Sequence, residues 1–165
     1  MNGKQLDVIR LADDAMSVVI LDQTRLPNHE EYLTLSEEKP MWDAIKLLQV
    51  RGAPAIGVFA GYAMAVLAKH ETNLSYDAFK ETFDKQADYL NTSRPTAVNL
   101  SWALKRMKKF VEDHPEDPKT LADILVQEAK TIDEENLAMN RKIAEYGVTL
   151  LHDGDGILTH CNAGY

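Results

Sequence analysis

Arg51-Gly-Ala-Pro-Ala-Ile-Gly-Val-Phe-Ala-Gly-Tyr-Ala-Met-Ala-Val-Leu-Ala68 is the stretch that decides the fold. Pro54 can occupy the first position of a helix, where its missing N–H is not needed, and from Ala55 to Ala68 no charge interrupts the run. A surface helix keeps a polar face, so a segment that is apolar or small all round belongs inside the protein, and this one is too short to cross a bilayer. Ala55, Gly57, Ala60, Gly61, Ala63 and Ala65 leave it thin, which lets neighbouring backbones approach closely. Arg51 and Gly52 stand just before its first turn, where free backbone N–H groups and the helix dipole favour an anion such as phosphate. An ordinary loop, with Arg51 solvated and Gly52 supplying a positive φ, explains the same residues.

Outward from this helix, composition bounds the answer. The chain has 165 residues, 45% hydrophobic, and a formal charge of -8. That is enough apolar material for a core, in one domain or one domain with part of another. The negative balance, with no concentrated basic face, argues against nucleic acid and anionic membrane as partners, while a small anionic ligand is compatible with two local arginines. The single cysteine, Cys161, precludes an internal disulfide, and the first residues carry no basic-then-apolar signal pattern, so the cytoplasm is the default compartment.

Upstream of the helix, Leu6, Val8 and Ile9 and then Ser17-Val-Val-Ile-Leu21 read as two short strands with a turn at Ala12 to Ala15, and Glu30 to Leu35 as a third. Ser36 is the expected cap of the next helix, in which Trp42, Ala44, Ile45, Leu47 and Leu48 follow a helical period that breaks at Gly52. Downstream, Ser75 opens a helix with Tyr76, Phe79, Phe83, Ala87 and Leu90 on one stripe. It ends in Asn91-Thr-Ser-Arg-Pro-Thr96, with Pro95 expected to begin the following helix, so Arg94 repeats the arrangement of Arg51. Two such arginines fit a convergent anion site better than either alone.

That following helix turns Ala97, Leu100, Ala103, Leu104, Met107 and Val111 inward and Lys105, Arg106, Lys108 and Lys109 outward, the basic residues read as a solvated face. After a turn at Pro115 to Pro118, a long helix from Lys119 carries Leu125, Ala129, Ile132, Asn136, Met139 and Ile143 on one stripe, with Asn136 read as a hydrogen-bonded core residue. His152 to Gly156 is a turn, and Ile157 to Cys161 has the length of one strand, ending in a small-residue loop as a parallel α/β domain begins. Its edges would be covered by the N-terminal strands, by a second copy in a homo-oligomer, or by further chain. The reading is a mainly α fold with a small N-terminal antiparallel β-sheet over residues 1–152, and the first strand of a truncated Rossmann-like α/β domain in 153–165. Cys161 would then stand at the carboxyl end of that strand, where its thiol serves as acid, base or polarised neighbour according to the nearer charge.

Arg51-Gly-Ala-Pro-Ala-Ile-Gly57, Ser93-Arg-Pro-Thr-Ala-Val-Asn-Leu-Ser-Trp-Ala103 and Thr159-His-Cys-Asn-Ala-Gly164 resemble, in order and spacing, the three N-terminal signatures of the methylthioribose-1-phosphate isomerases. That family sits in a larger group with ribose-1,5-bisphosphate isomerases and regulatory subunits of the translation-initiation guanine-nucleotide exchange factor, all pairing a helical N-terminal domain with a Rossmann-like one. The resemblance implies a methionine-salvage step, the aldose-to-ketose conversion of 5-methylthioribose 1-phosphate into 5-methylthioribulose 1-phosphate, with no external cofactor and no metal. It assigns substrate contacts to Arg51, Gly52, Ala53 and Arg94, and a place beside the reacting carbons to Cys161. The family's acid–base aspartate, in its second domain, has no counterpart in this sequence, so the chain alone is expected to be nearly inactive. A related sugar-phosphate isomerase and a non-catalytic regulatory module are the alternatives.

Overall fold

In the computed structural model, which describes residues 8–158, a three-stranded sheet packs beside five helices. Strands β1 (Ile9–Leu11), β2 (Val18–Leu21) and β3 (Tyr32–Leu35) form an antiparallel meander in sequence order. Ile9 pairs with Ile20, and Val18 with Leu35. All four residues of β2 are buried, so the central strand is apolar on both faces, one of which meets the helices.

Helix α2 (Ala53–His70) is the axis of the molecule: every residue from Ala55 to Ala68 is buried. Helices α1 (Glu38–Lys46), α3 (Tyr76–Asn91), α4 (Val98–Asp113) and α5 (Pro118–Val148) surround it. The thinness expected of α2 is used at two places. A Cβ on Gly57 would lie 3.2 Å from the Asn99 carbonyl oxygen of α4, and one on Gly61 would lie 3.1 Å from Ile132 Cδ1 of α5. Tyr62 donates to the Asp133 carboxylate at 2.7 Å and Lys69 pairs with Asp123 at 2.7 Å, so α2 and α5 run antiparallel. At about 1.5 Å per residue, α5 is about 46 Å long against about 27 Å for α2, and its C-terminal part continues past the α2 N-terminus.

The helix α3 opens at Ser75, whose hydroxyl accepts from the Ala78 amide, and buries Phe79, Phe83, Ala87 and Leu90 as the stripe requires. Asp117 caps α5 by accepting from the amides of Lys119 and Thr120. Elsewhere the structure corrects the sequence reading. Glu37, not Ser36, is the residue before α1, and its side chain makes no capping bond. Helix α1 stops at Lys46, leaving Leu47 61% exposed and Leu48 at φ 62 in the turn toward α2. Pro95 does not start α4: a turn closed by the Ala97 amide on the Arg94 carbonyl comes first, which puts Arg94 four residues ahead of Val98.

The basic face of α4 is also not simply solvated. Arg106 bridges Glu128 and Glu135 of α5, and Lys108 reaches Asp84 and Asp88 of α3, so two of its four cations tie neighbouring helices together. The α5 stripe is core only as far as Ile132; Met139 and Ile143 are each 63% exposed, because α2, which covers the first half, has ended there. Ile157 and Leu158, the described residues of the expected final strand, are exposed and outside any strand. Thr159 to Cys161 lie outside the described residues.

Candidate functional site

The loop entering α2 is held from behind by polar groups of the sheet's end. Asp22 and Gln23, just after β2, are buried. Gln23 donates its side-chain amide to the Arg51 carbonyl at 3.3 Å, and its backbone N–H goes to Gln49 at 3.0 Å. Gln49 in turn donates to Asp22 at 2.9 Å. Burial pushes the Asp22 carboxyl upward, but bonds from the Thr24 hydroxyl and amide and from Gln49 outweigh it and hold the group below its ordinary range. The acid is therefore an ionised acceptor, and the latch fixes the Gln49–Arg51 backbone without using the Arg51 side chain.

Gly52 precedes α2 at φ 98, ψ 127, a conformation that L side chains rarely adopt. Among the described residues no side chain caps the N-terminus of α2, and of its first turn Ala53 is exposed while Ala55 is buried. Arg51 and Ala53 are exposed and Arg94 is half-buried. Among the described residues neither guanidinium forms an ion pair, whereas Arg25, Arg106 and most of the paired lysines are spent on carboxylates. Ser93, buried, donates its hydroxyl to the Leu90 carbonyl at 2.6 Å and anchors the loop that carries Arg94.

The first turns of α2 and α4 open on one groove of about 360 Å³, which Pro54 and Gly57 line from one side and Val98 and Trp102 from the other. Its far wall is α5, with Ile132, Asn136 and Met139. Thus the helix starts that follow Arg51 and Arg94 converge on one groove, although Arg51, Gly52, Ala53 and Arg94 are not themselves in its lining. Cys161, the third member of the expected constellation, lies outside the described residues. Asn136 is not the satisfied core residue expected: its Nδ2 is buried without a partner among the described residues, a state that costs about 1–3 kcal/mol. Glu135 also lines the groove, and hydrogen bonds from Arg106 hold its carboxyl below the usual range. The sequence reading missed the Asp22–Gln23 latch and the role of Trp102; only the buried polar pair closing an apolar strand hinted at the first.

The model of the initiation factor 2 subunit family matches residues 49–165, which include both arginine loops. The chain belongs to that family. Among curated relatives, a protein named 5-deoxyribose 1-phosphate isomerase from Bacillus thuringiensis (strain Al Hakam) is 47% identical over 98% of this chain and 46% of its own length. One of the same name from Clostridium botulinum (strain Okra / Type B1) is 45% identical over 97% of this chain and 46% of its length. The chain therefore spans about half the length of the curated relatives it matches. Among solved structures, 5-methylthioribose 1-phosphate isomerase from Pyrococcus horikoshii superposes with a TM-score of 0.83 at 36% identity, over 90% of this chain and 41% of that one. A chain described as translation initiation factor eIF-2B, subunit delta, from A. fulgidus gives 0.84 at 38% identity, over 97% and 46%. The helical arrangement seen here thus recurs in a solved chain described as an isomerase and in one described as a translation factor. No helix among the described residues is long and apolar enough to cross a membrane.

Proposed function

We propose that this chain carries the phosphate-holding part of an aldose-to-ketose isomerase acting on a pentose 1-phosphate, with 5-methylthioribose 1-phosphate as the first candidate and 5-deoxyribose 1-phosphate as the second. The observation that supports this best is the pair of guanidinium groups without ion pairs among the described residues, on loops that lead into two helix starts facing one groove. Relatives named for 5-deoxyribose 1-phosphate and 5-methylthioribose 1-phosphate supply the substrate class.

In this reading Arg51 and the uncapped backbone N–H groups at the start of α2 receive the phosphate, and Arg94 adds a second charge-assisted contact. Gly52 lets the backbone come close to the anion. Holding the phosphate fixes the sugar before any proton moves, which is where positioning lowers a barrier most. The isomerisation moves the C2 hydrogen to C1 as the C1–O4 ring bond breaks and the 2-hydroxyl proton passes to O4, oxidising C2 to a ketone and reducing C1, so it is redox-neutral and consumes no cofactor. By resemblance, Cys161 would stand beside those carbons.

The intact protein incubated with 5-methylthioribose 1-phosphate is expected to form the corresponding ketose phosphate, followed by ³¹P NMR. The similarity to the translation-factor chain favours a second reading, a regulatory module without chemistry. Binding without conversion would support that module, and absence of both would remove the sugar-phosphate reading.

A further inference from the structure

Resting on the isomerase reading, we propose that the groove between α2, α4 and α5 receives the uncharged 5-substituent of the pentose 1-phosphate, with Val98, Trp102 and Met139 selecting a methyl or methylthio end and Glu135 rejecting a 5-phosphate. Pro54 is three residues beyond Arg51 and Val98 four beyond Arg94, so a sugar held by its 1-phosphate at these loops has the groove as its next surface.

The lining chemistry matches that end of the ligand. Val58, Val98, Trp102, Ile132 and Met139 are apolar, and among the described residues no lysine, arginine or histidine is in the lining, the nearby Arg106 lying over the Trp102 ring and paired with Glu135. Val98 is 77% exposed, Trp102 48% and Met139 63%, so a small alkyl or thioether group would cover surface now open to water. A flexible, polarisable methionine and an indole face suit a thioether. Glu135 is fixed at the groove by Arg106, whose second guanidinium nitrogen reaches it at 3.1 Å. Arg106 is shared between Glu135 and Glu128, so the cluster keeps one net negative charge that opposes a second phosphate, while the Asn136 Nδ2, without a partner among the described residues, offers a donor to a sugar oxygen.

The test measures kcat and KM of the intact protein on 5-methylthioribose 1-phosphate, 5-deoxyribose 1-phosphate and ribose 1,5-bisphosphate. Val98→Glu and Met139→Glu alter exposed positions, and thermal melting confirms that they fold. Each is expected to lower kcat/KM for the methylthio substrate at least about tenfold, chiefly through KM, and by less for the 5-deoxy substrate, whose end is smaller. Glu135→Gln is expected to improve the ratio for the bisphosphate about fivefold to tenfold. Equal losses on all three substrates, or no loss, would overturn the groove assignment while leaving an active isomerase. A wild-type protein that converts none of the three would overturn the functional reading and the groove with it.

Discussion

Gly57→Val is expected to destabilise the chain by about 3 kcal/mol, lowering its melting temperature by about 6–12 °C at the size of this domain. A Cβ at this position would sit 3.2 Å from the Asn99 carbonyl oxygen and 3.3 Å from Asn99 Cβ. The obstacle includes the backbone of α4, which is itself packed against α2, α3 and α5 and has no cheap way to retreat. Valine adds two methyl groups beyond that Cβ, and overpacking of this kind outweighs the gain of at most about 1 kcal/mol from removing a helical glycine. Gly61→Ala is the informative contrast. Its nearest neighbour is the far end of the Ile132 side chain at 3.1 Å, which can turn aside. That variant is expected to stay within about 1 kcal/mol of the parent. Paired thermal melts of the two variants read the difference directly.

Arg51→Ala is expected to weaken sugar-phosphate binding about 30-fold to 1000-fold, the loss of about 2–4 kcal/mol that follows removal of a charged donor from a phosphate. Its effect on stability is expected to be small, since the side chain is exposed and forms no ion pair among the described residues. The latch from Gln23 holds the Arg51 carbonyl, not its guanidinium, so the loop keeps its shape in the variant. Calorimetric titration alongside a melting curve separates these two effects. Unchanged affinity would remove Arg51 from the site.

The difference in legibility between these two residues is instructive. Helix α2 was readable because fourteen consecutive apolar or small residues after a proline have no other soluble home. The meander was readable because β-branched runs alternate with turn residues, although β2 starts one residue and β3 two residues later than their runs suggest. Burial of the α3 stripe followed from its spacing alone. Period shows which face of a helix is apolar but not what covers it, and so the α5 stripe looked like core throughout. It stops being core at the level where α2 begins, a length relation between two elements 65 residues apart at their starts.

The same limit applies to polar partners. Arg106 looked like one member of a solvated cluster because Glu128 and Glu135 lie on another helix, 22 and 29 residues away. Gln23 and Arg51 are separated by 28 residues. Such contacts are products of the fold and leave no local pattern. For the candidate site, the loops bearing Arg51 and Arg94 were legible from their position before expected helices, and the structure brings those helix starts to one groove. The groove's own character, apolar with one fixed carboxylate, came only from the packing.

The central claim is that the loop and first turn at Arg51 to Ala53 form an anion-holding end of α2, shared with the Arg94 loop. The measurement that tests it most directly is a titration of the ¹⁵N-labelled chain with 5-methylthioribose 1-phosphate, reading backbone amides and arginine side-chain N–H signals. The account predicts that the amides of Gly52 and Ala53 and the guanidinium signals of Arg51 and Arg94 move together, along one saturating curve. Shifts confined to other parts of the chain, or none at these four residues at saturating ligand, would contradict it.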